Sequence, residues 1–400
     1  MFYLLKKLED KNRPLIGPNV KALKFWGILL PKNLYTRYLC ILMYLLVVIF
    51  VGTEYVDIWF VKADLNLLLN NMKITMLATM SVVKVSTFYR WQQHWLDILN
   101  YVTRADLTQR KTNDVNKIEM INKFTTYSRK ITYAYWSLVY TTVIFVVGYP
   151  IFKYVFFSSY RQNVLNGCEP FFEIVSSWVP FDKSTIWGYI LASIYQAYSS
   201  IVGGGWITSF DSNAMVIMVF FRAELELLRI DCANIFGTEK AQVSDEVAMV
   251  RLKECQRRHA EVMKYIHLFD ECLSPVMLCY TIICSVMLCV TAYQITTEPS
   301  FVQRLVFTEY LVFCVTQLFI YCWHSNDVLY ASRDLSLAPY ESIWWSRGVE
   351  HRKNLFILTA QFSKVVEFSV GPFTKLTVAT FIQILKGAYS YYTLLSKSDE

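Results

Sequence analysis

The run LSPVMLCYTIICSVMLCVTAYQIT, residues 273–296, contains no charged side chain. About 20 mostly apolar residues suffice for an α-helix to cross the hydrocarbon core of a bilayer, so this run reads as a membrane span. Outward from it, six further runs read the same way, near 38–60, 67–89, 131–157, 186–210, 303–324 and 369–395. The second of these is interrupted by Lys73 and Lys84. A charge within a span is costly and faces protein or water rather than lipid.

Whole-chain composition agrees. The 400 residues are 54% hydrophobic and only 18% charged, against roughly 45–50% and about 25% in soluble domains. Aromatic residues make up 16%, as expected where Trp and Tyr sit at the membrane–water boundary. The net charge of +7 is no nucleic-acid signal; it reflects Lys and Arg retained in cytoplasmic segments. With the N-terminus placed inside, the N-terminal arm, the loop between spans two and three, and the loop between spans four and five hold eight Lys and Arg each. Five more follow span six. That is 29 inside, against five outside and five within the spans. The expected fold is therefore an all-α integral membrane protein with seven transmembrane helices, a cytoplasmic N-terminus and an extracellular C-terminus. No cleavable signal peptide is evident, so the first span is expected to remain as a signal anchor.

This divides the chain into a cytoplasmic arm (1–37), spans one to four (38–210), a cytoplasmic helical extension (211–272), spans five and six (273–324), a cytoplasmic anchor segment (325–368), a last helix (369–395) and a short extracellular tail (396–400). The extension contains AELELLRIDCANIF and RLKECQRRHAEVMKYIHLFDE, with apolar residues at helical spacing. The anchor segment contains PYESIWW and HRKNLFILTAQF, and its apolar Trp344, Trp345, Leu355 and Phe356 suit packing on other helices or a partner subunit.

Enzyme chemistry finds no support. The histidines His94, His259, His267, His324 and His351 form no HExxH or HxxxH pair, and no phosphate-loop or dinucleotide motif occurs. Gly203-Gly204-Gly205 lies in an apolar helix, where glycines allow a kink or a close helix contact. Six of the ten cysteines lie in apolar runs, there is no zinc-type CxxC, and Cys168 is the clearest extracellular thiol. No cofactor, metal or nucleic-acid partner is expected, and no internal repeat of transporter type is visible. The last span, SVGPFTKLTVATFIQILKGAYSYYTLLSK, interleaves Thr374, Thr377, Thr380, Gln383, Lys386, Ser390 and Thr393 with apolar residues. Thr377, Thr380, Gln383 and Lys386 follow one drifting face. That stripe suits either a water-filled pore between copies of the chain or packing on neighbouring helices, and the residues alone leave both open.

From Thr316 the chain reads TQLFIYCWHSNDVLYASRDLSLAPYESIWW and, later, FIQILKGAYSYYTLL. This resembles the C-terminal signature of insect odorant receptors, with weaker agreement at SWVPFD (177–182) and SIYQAYSS. The resemblance implies a tetrameric cation channel, usually assembled with a shared co-receptor in the membrane lipid, and gated by a small volatile odorant or pheromone. The chain lacks the co-receptor's loop insertion and so looks like a tuning receptor. Its tyrosine-rich end favours the odorant branch over the gustatory one. The resemblance also implies a gate near Thr393, Leu394 and Lys397. It projects an outer-half ligand pocket onto Asn71, Ile74, Thr75 and Ala78 of helix two, Val143, Val147 and Gly148 of helix three, Tyr189, Ala192, Tyr195 and Gln196 of helix four, and Phe307, Tyr310, Phe313 and Cys314 of helix six. The competing readings are a metabotropic seven-helix chemoreceptor, a gustatory-type receptor, or a membrane enzyme or transporter.

Overall fold

The computed structural model describes residues 8–62, 65–166, 168–239 and 241–398. It is built almost wholly of helices: α1 (Gly17–Phe25), α2 (Leu34–Val61), α3 (Leu65–Arg90), α4 (Gln92–Gln109), α5 (Val115–Phe156), α6 (Ser158–Leu165), α7 (Ile186–Ala233), α8 (Asp245–Thr297), α9 (Phe301–Leu335), α10 (Ala338–Glu341), α11 (Val349–Phe362) and α12 (Val378–Ser398). Local chemistry sets several starts. The side chains of Asn33, Asp114, Thr185 and Ser244 each accept a backbone N–H in the first turn of the following helix.

Among the described residues, four helices, α2, α5, α8 and α9, are long and apolar enough to cross a membrane. Large apolar side chains such as Leu42, Ile49, Trp59, Ile144, Phe152 and Trp187 stand exposed on the bundle. In water such a surface would aggregate; against acyl chains it is matched to its solvent. At 1.5 Å per residue, the 48-residue α7 and the 53-residue α8 are about 70–80 Å long. Both are longer than the ~30 Å hydrocarbon layer, and the charged residues of α8 all fall in its N-terminal half. No backbone break separates span from extension at residues 210/211, 272/273 or 324/325.

The core is organised around α7, which is buried on every side from Val202 to Phe221. Its three glycines each admit a different neighbour. A Cβ at Gly203 would meet Ser81 of α3, one at Gly204 would strike Val143 of α5, and one at Gly205 would strike the Trp26 ring that follows α1. The Trp26 carbonyl accepts the indole N–H of Trp206 at 3.0 Å, fastening the N-terminal arm to the same turn.

One buried ion pair sits in this core. Lys84 Nζ lies 2.7 Å from Asp211 Oδ1, and both residues are within 1% of full burial. Tyr135 and Tyr321 donate their hydroxyls to the same carboxylate at 2.5 and 2.7 Å, and Gln317 donates its amide. The five side chains tie α3, α5, α7 and α9 together.

Below the apolar layer, charge replaces grease. Arg258 bridges Glu224 at 2.7 Å and also Asp231, which Lys117 reaches from α5; Arg222 pairs with Asp327 of α9 at 2.6 Å. Helix α11 lays His351, Leu355, Leu358 and Phe362 inward. Leu355 is therefore a core residue and not part of an assembly face. Trp344 is half-buried, whereas Trp345 and Phe356 are exposed. His259 of α8 faces the Phe362 ring at 4.7 Å, and burial, with Lys364 nearby, pushes its imidazole down to about 4.

The last helix begins later than its sequence suggests. Residues 369–375 form a hairpin pairing Ser369 with Lys375 and Val370 with Thr374, turned at Gly371 with φ +57° and followed by Pro372. The hairpin is bolted to α8: Asp270 accepts the Ser369 N–H at 2.7 Å, and the Ser274 carbonyl accepts that of Gly371 at 3.3 Å. Helix α12 then starts at Val378.

Two outcomes are expected. Asp211→Ala leaves Lys84 buried without a partner, and the detergent-solubilised protein should lose about 3–5 kcal/mol of stability; the pair Lys84→Met with Asp211→Leu should recover part of it in thermal unfolding. The folded state resists protonating His259, so between pH 6.5 and 4 the unfolded chain binds the extra proton and stability falls with falling pH. In His259→Leu the drop in melting temperature between pH 7 and 5 should be smaller than in the parent.

Candidate functional site

A cavity of about 380 Å³ opens inside the bundle between α2, α3, α5, α7 and the α8–α9 connection. Its position follows from the glycine packing: Gly203 and Gly204 form part of one wall, with Ser199, Ser200 and Ile207 along the same helix. Opposite stand Ile74, Leu77 and Ala78 of α3 and Val139, Val143 and Val146 of α5. Phe307, Tyr310 and Phe313 of α9 supply an aromatic side, and Val47, Phe50 and Glu54 of α2 close the remaining edge.

The roof is a segment without regular structure. Phe172, Ile174 and Val175 reach into the lining. They are held from several sides: Gln196 Oε1 accepts the Ile174 N–H at 3.2 Å, the Tyr160 hydroxyl accepts that of Phe172 at 2.8 Å, and Ser176 donates to Asp57 at 2.6 Å. Trp178 donates its backbone N–H to the Thr53 carbonyl at 3.2 Å, pinning the segment to α2.

The lining is mostly apolar with a few polar groups, the composition of a small-molecule site. Lys73 is buried, donates to Gln294 Oε1 at 2.8 Å, and holds its ammonium 3.6 Å from the centre of the Phe307 ring. Glu309 accepts the Thr142 hydroxyl at 2.5 Å. Among the described residues no cluster of His, Cys, Asp or Glu could hold a metal ion, and the ten cysteines are free thiols, Cys168 among them exposed.

Of the pocket residues expected from sequence, the cavity brings together Ile74, Ala78, Val143, Phe307, Tyr310 and Phe313. The others stand elsewhere, each for a visible reason. Asn71 donates to Asp57 at 2.9 Å. Thr75 is buried outside the lining. Val147 packs with Phe50, Ile174 and Val175 behind the roof, and a Cβ at Gly148 would meet open space. Cys314 is buried behind Tyr310, its carbonyl taking the Tyr280 hydroxyl at 3.5 Å. On α7 the phase is displaced inward. Tyr189 stacks on Phe171 and donates to the Phe172 carbonyl, Ala192 is buried, Tyr195 donates to the Leu46 carbonyl, and Gln196 holds the roof. The lining begins at Ser199 instead. Glu54 and Lys73 were missed as pocket residues; the signal available for both was a charge inside an apolar run.

Helix α12 presents Gln383, Lys386 and Ser390 on an exposed face, with Leu394 beyond them. Thr380 does not share that face. It is buried, and its hydroxyl donates to the Lys375 carbonyl at 2.6 Å, closing the turn that enters the helix. Thr393 is half-buried, with its hydroxyl on the Ser390 carbonyl at 2.8 Å. The side chain of Lys397 lies outside the described residues.

Comparison with known proteins places this architecture. The family model described as 7tm Odorant receptor matches residues 64–389. Odorant receptor 30a of Drosophila melanogaster is 21% identical over 98% of this chain and 99% of its own length. Odorant receptor Or2 of Anopheles gambiae is 27% identical over 36% of the chain, an alignment spanning only 39% of that relative. The solved structure of the insect olfactory receptor OR5 from Machilis hrabei superposes with a TM-score of 0.80 at 17% identity, covering 95% of this chain and 97% of that one. Its complex with eugenol superposes with a TM-score of 0.81 at 16% identity, over 96% and 97%. The chain belongs to the 7tm odorant receptor family and is a multi-pass membrane receptor, not an enzyme.

Proposed function

We propose that this receptor is a subunit of an odorant-gated, non-selective cation channel in the plasma membrane of a sensory neuron dendrite, with its N-terminus inside and its C-terminus outside. The observation that carries the reading is the roofed, largely apolar cavity, whose walls also carry the helices packed against α12. A small volatile molecule fits such a site, its affinity supplied by burial and dispersion. The relative described as an odorant receptor coreceptor in Aedes aegypti is 24% identical over 44% of this chain, and a heterotetramer with such a co-receptor is the assembly proposed. The exposed Trp345, Phe356 and Ile357 on the cytoplasmic side are the apolar groups available for it. The Gln383–Lys386–Ser390 face would line the pore, with the gate near Thr393, Leu394 and Lys397.

Two routes connect the cavity to that helix. On α9, Phe313 lines the cavity and Phe319, two turns on, packs on Phe381 of α12 at 5.4 Å. On α8, Gln294 holds Lys73 while the adjacent Tyr293 clusters with Tyr392 of α12. A ligand that fits the cavity better in one arrangement of these helices shifts the population toward it.

Whole-cell recording from cells expressing the chain with an insect co-receptor should give a fast, volatile-evoked, non-selective cation current. A C-terminal tag should bind antibody on intact cells; a tag reached only after permeabilisation would reverse the orientation and sink the reading. Gly204→Val should drive a side chain against Val143 in the cavity wall and raise the half-maximal odorant concentration by about tenfold or more, an effect of roughly 1.4 kcal/mol, with surface expression of the variant as the control.

A further inference from the structure

Among the described residues, two that line the cavity carry a buried polar atom with no partner. Glu54 is 1% exposed, and its Oε2 has no hydrogen bond; Ser199 is 4% exposed, and its Oγ has none. Both residues line the cavity, from α2 and from α7. The contrast with their neighbours is informative. Asp57, one turn along α2, is met by Asn71 and Ser176; Ser200, beside Ser199, donates to the Gln196 carbonyl at 2.8 Å. Ser193, Ser209 and Asn213 of α7 also carry buried atoms without a partner, but they lie outside the lining, whereas Glu54 and Ser199 face the empty volume.

Leaving a buried carboxyl oxygen without a donor costs free energy, and a ligand that supplies the donor recovers it. A site built this way rejects an analogue that lacks the group more strongly than an apolar pocket rejects a missing methylene. The basic residue at the cavity does not meet this need: Lys73 is directed to Gln294 and the Phe307 ring, and no ion pair to Glu54 occurs among the described residues.

We infer that the cavity selects small molecules carrying an O–H or N–H donor, an alcohol or a primary amine on a compact apolar body, with the donor on the Glu54 carboxyl and the Ser199 hydroxyl as the second polar contact. This rests on the reading of the cavity as the ligand site.

The test is binding to the purified full chain in lipid nanodiscs, read as ligand-induced thermal stabilisation, and separately the evoked current with a co-receptor. The probes are benzyl alcohol and benzylamine against toluene and benzyl methyl ether, and 1-hexanol and hexylamine against hexane and hexyl methyl ether. In the parent protein the donor-bearing member of each set should bind at least tenfold more tightly than its donor-free partners. Glu54→Leu should erase that gap while leaving toluene and hexane binding intact; Ser199→Ala should narrow it. Glu54→Gln should keep the alcohol preference and lose the amine preference. Equal binding of donor-bearing and donor-free probes to the parent protein, no binding of any probe up to its solubility, or a gap that survives Glu54→Leu would each overturn the proposal. A binding preference without any current would instead count against the channel reading and leave the ligand class standing.

Discussion

The Lys84–Asp211 pair is the constraint on which the packing of the bundle depends. Two opposite charges taken out of water are stabilising only if their mutual attraction is joined by further hydrogen bonds. Here the carboxylate receives two tyrosine hydroxyls and one amide besides the ammonium. These come from α3, α5 and α9, so the groups coincide at only one relative setting of four helices. Sliding α7 by one turn would move Asp211 about 5.4 Å and leave Lys84, both tyrosines and Gln317 facing apolar neighbours. Apolar helices in lipid lack a hydrophobic force that would choose one register. The buried polar cluster supplies that choice.

Register in turn determines where space is left. With Asp211 fixed, Gly203 and Gly204 fall two turns toward the N-terminal end of α7, opposite Ser81 and Val143. Small residues there allow close approach of the backbone, and the cavity lies where the lining passes from these glycines to the serines above them. The cavity is a consequence of where one charge pair sits and which residues lack side chains one or two turns away.

This explains which parts of the site the sequence discloses. Long apolar runs report the spans because lipid demands them, and Lys73 and Lys84 mark protein-facing sides because charge is costly in lipid. Ile74, Ala78, Val143, Phe307, Tyr310 and Phe313 follow from the family's layout and the helical period. The phase of α7 does not, since Tyr189 and Gln196 are held by a roof segment that has no periodicity to read, and Tyr195 by the Leu46 carbonyl of α2. The same holds for the entrance to α12. Residues 369–375 look like the start of an apolar helix, yet Gly371 and Pro372 end the pattern, and acceptors on α8 distant in sequence fix the hairpin. Leu355 and Phe356 are adjacent and equally apolar; only the helical phase of α11 against α8 assigns one to the core and the other to the surface.

The polar groups of the bundle divide by whether the fold satisfies them. The Asp211 cluster is saturated, and a saturated network holds one arrangement rigidly. Glu54 and Ser199 are unsaturated, and an unmet buried group favours whichever arrangement brings it a partner. Lys73 occupies the intermediate position: it is satisfied by Gln294 of α8 and by a ring of α9, the two helices that pack on α12. A ligand in the cavity therefore shares its walls with Lys73, the residue that joins α3 to the two helices packed on α12.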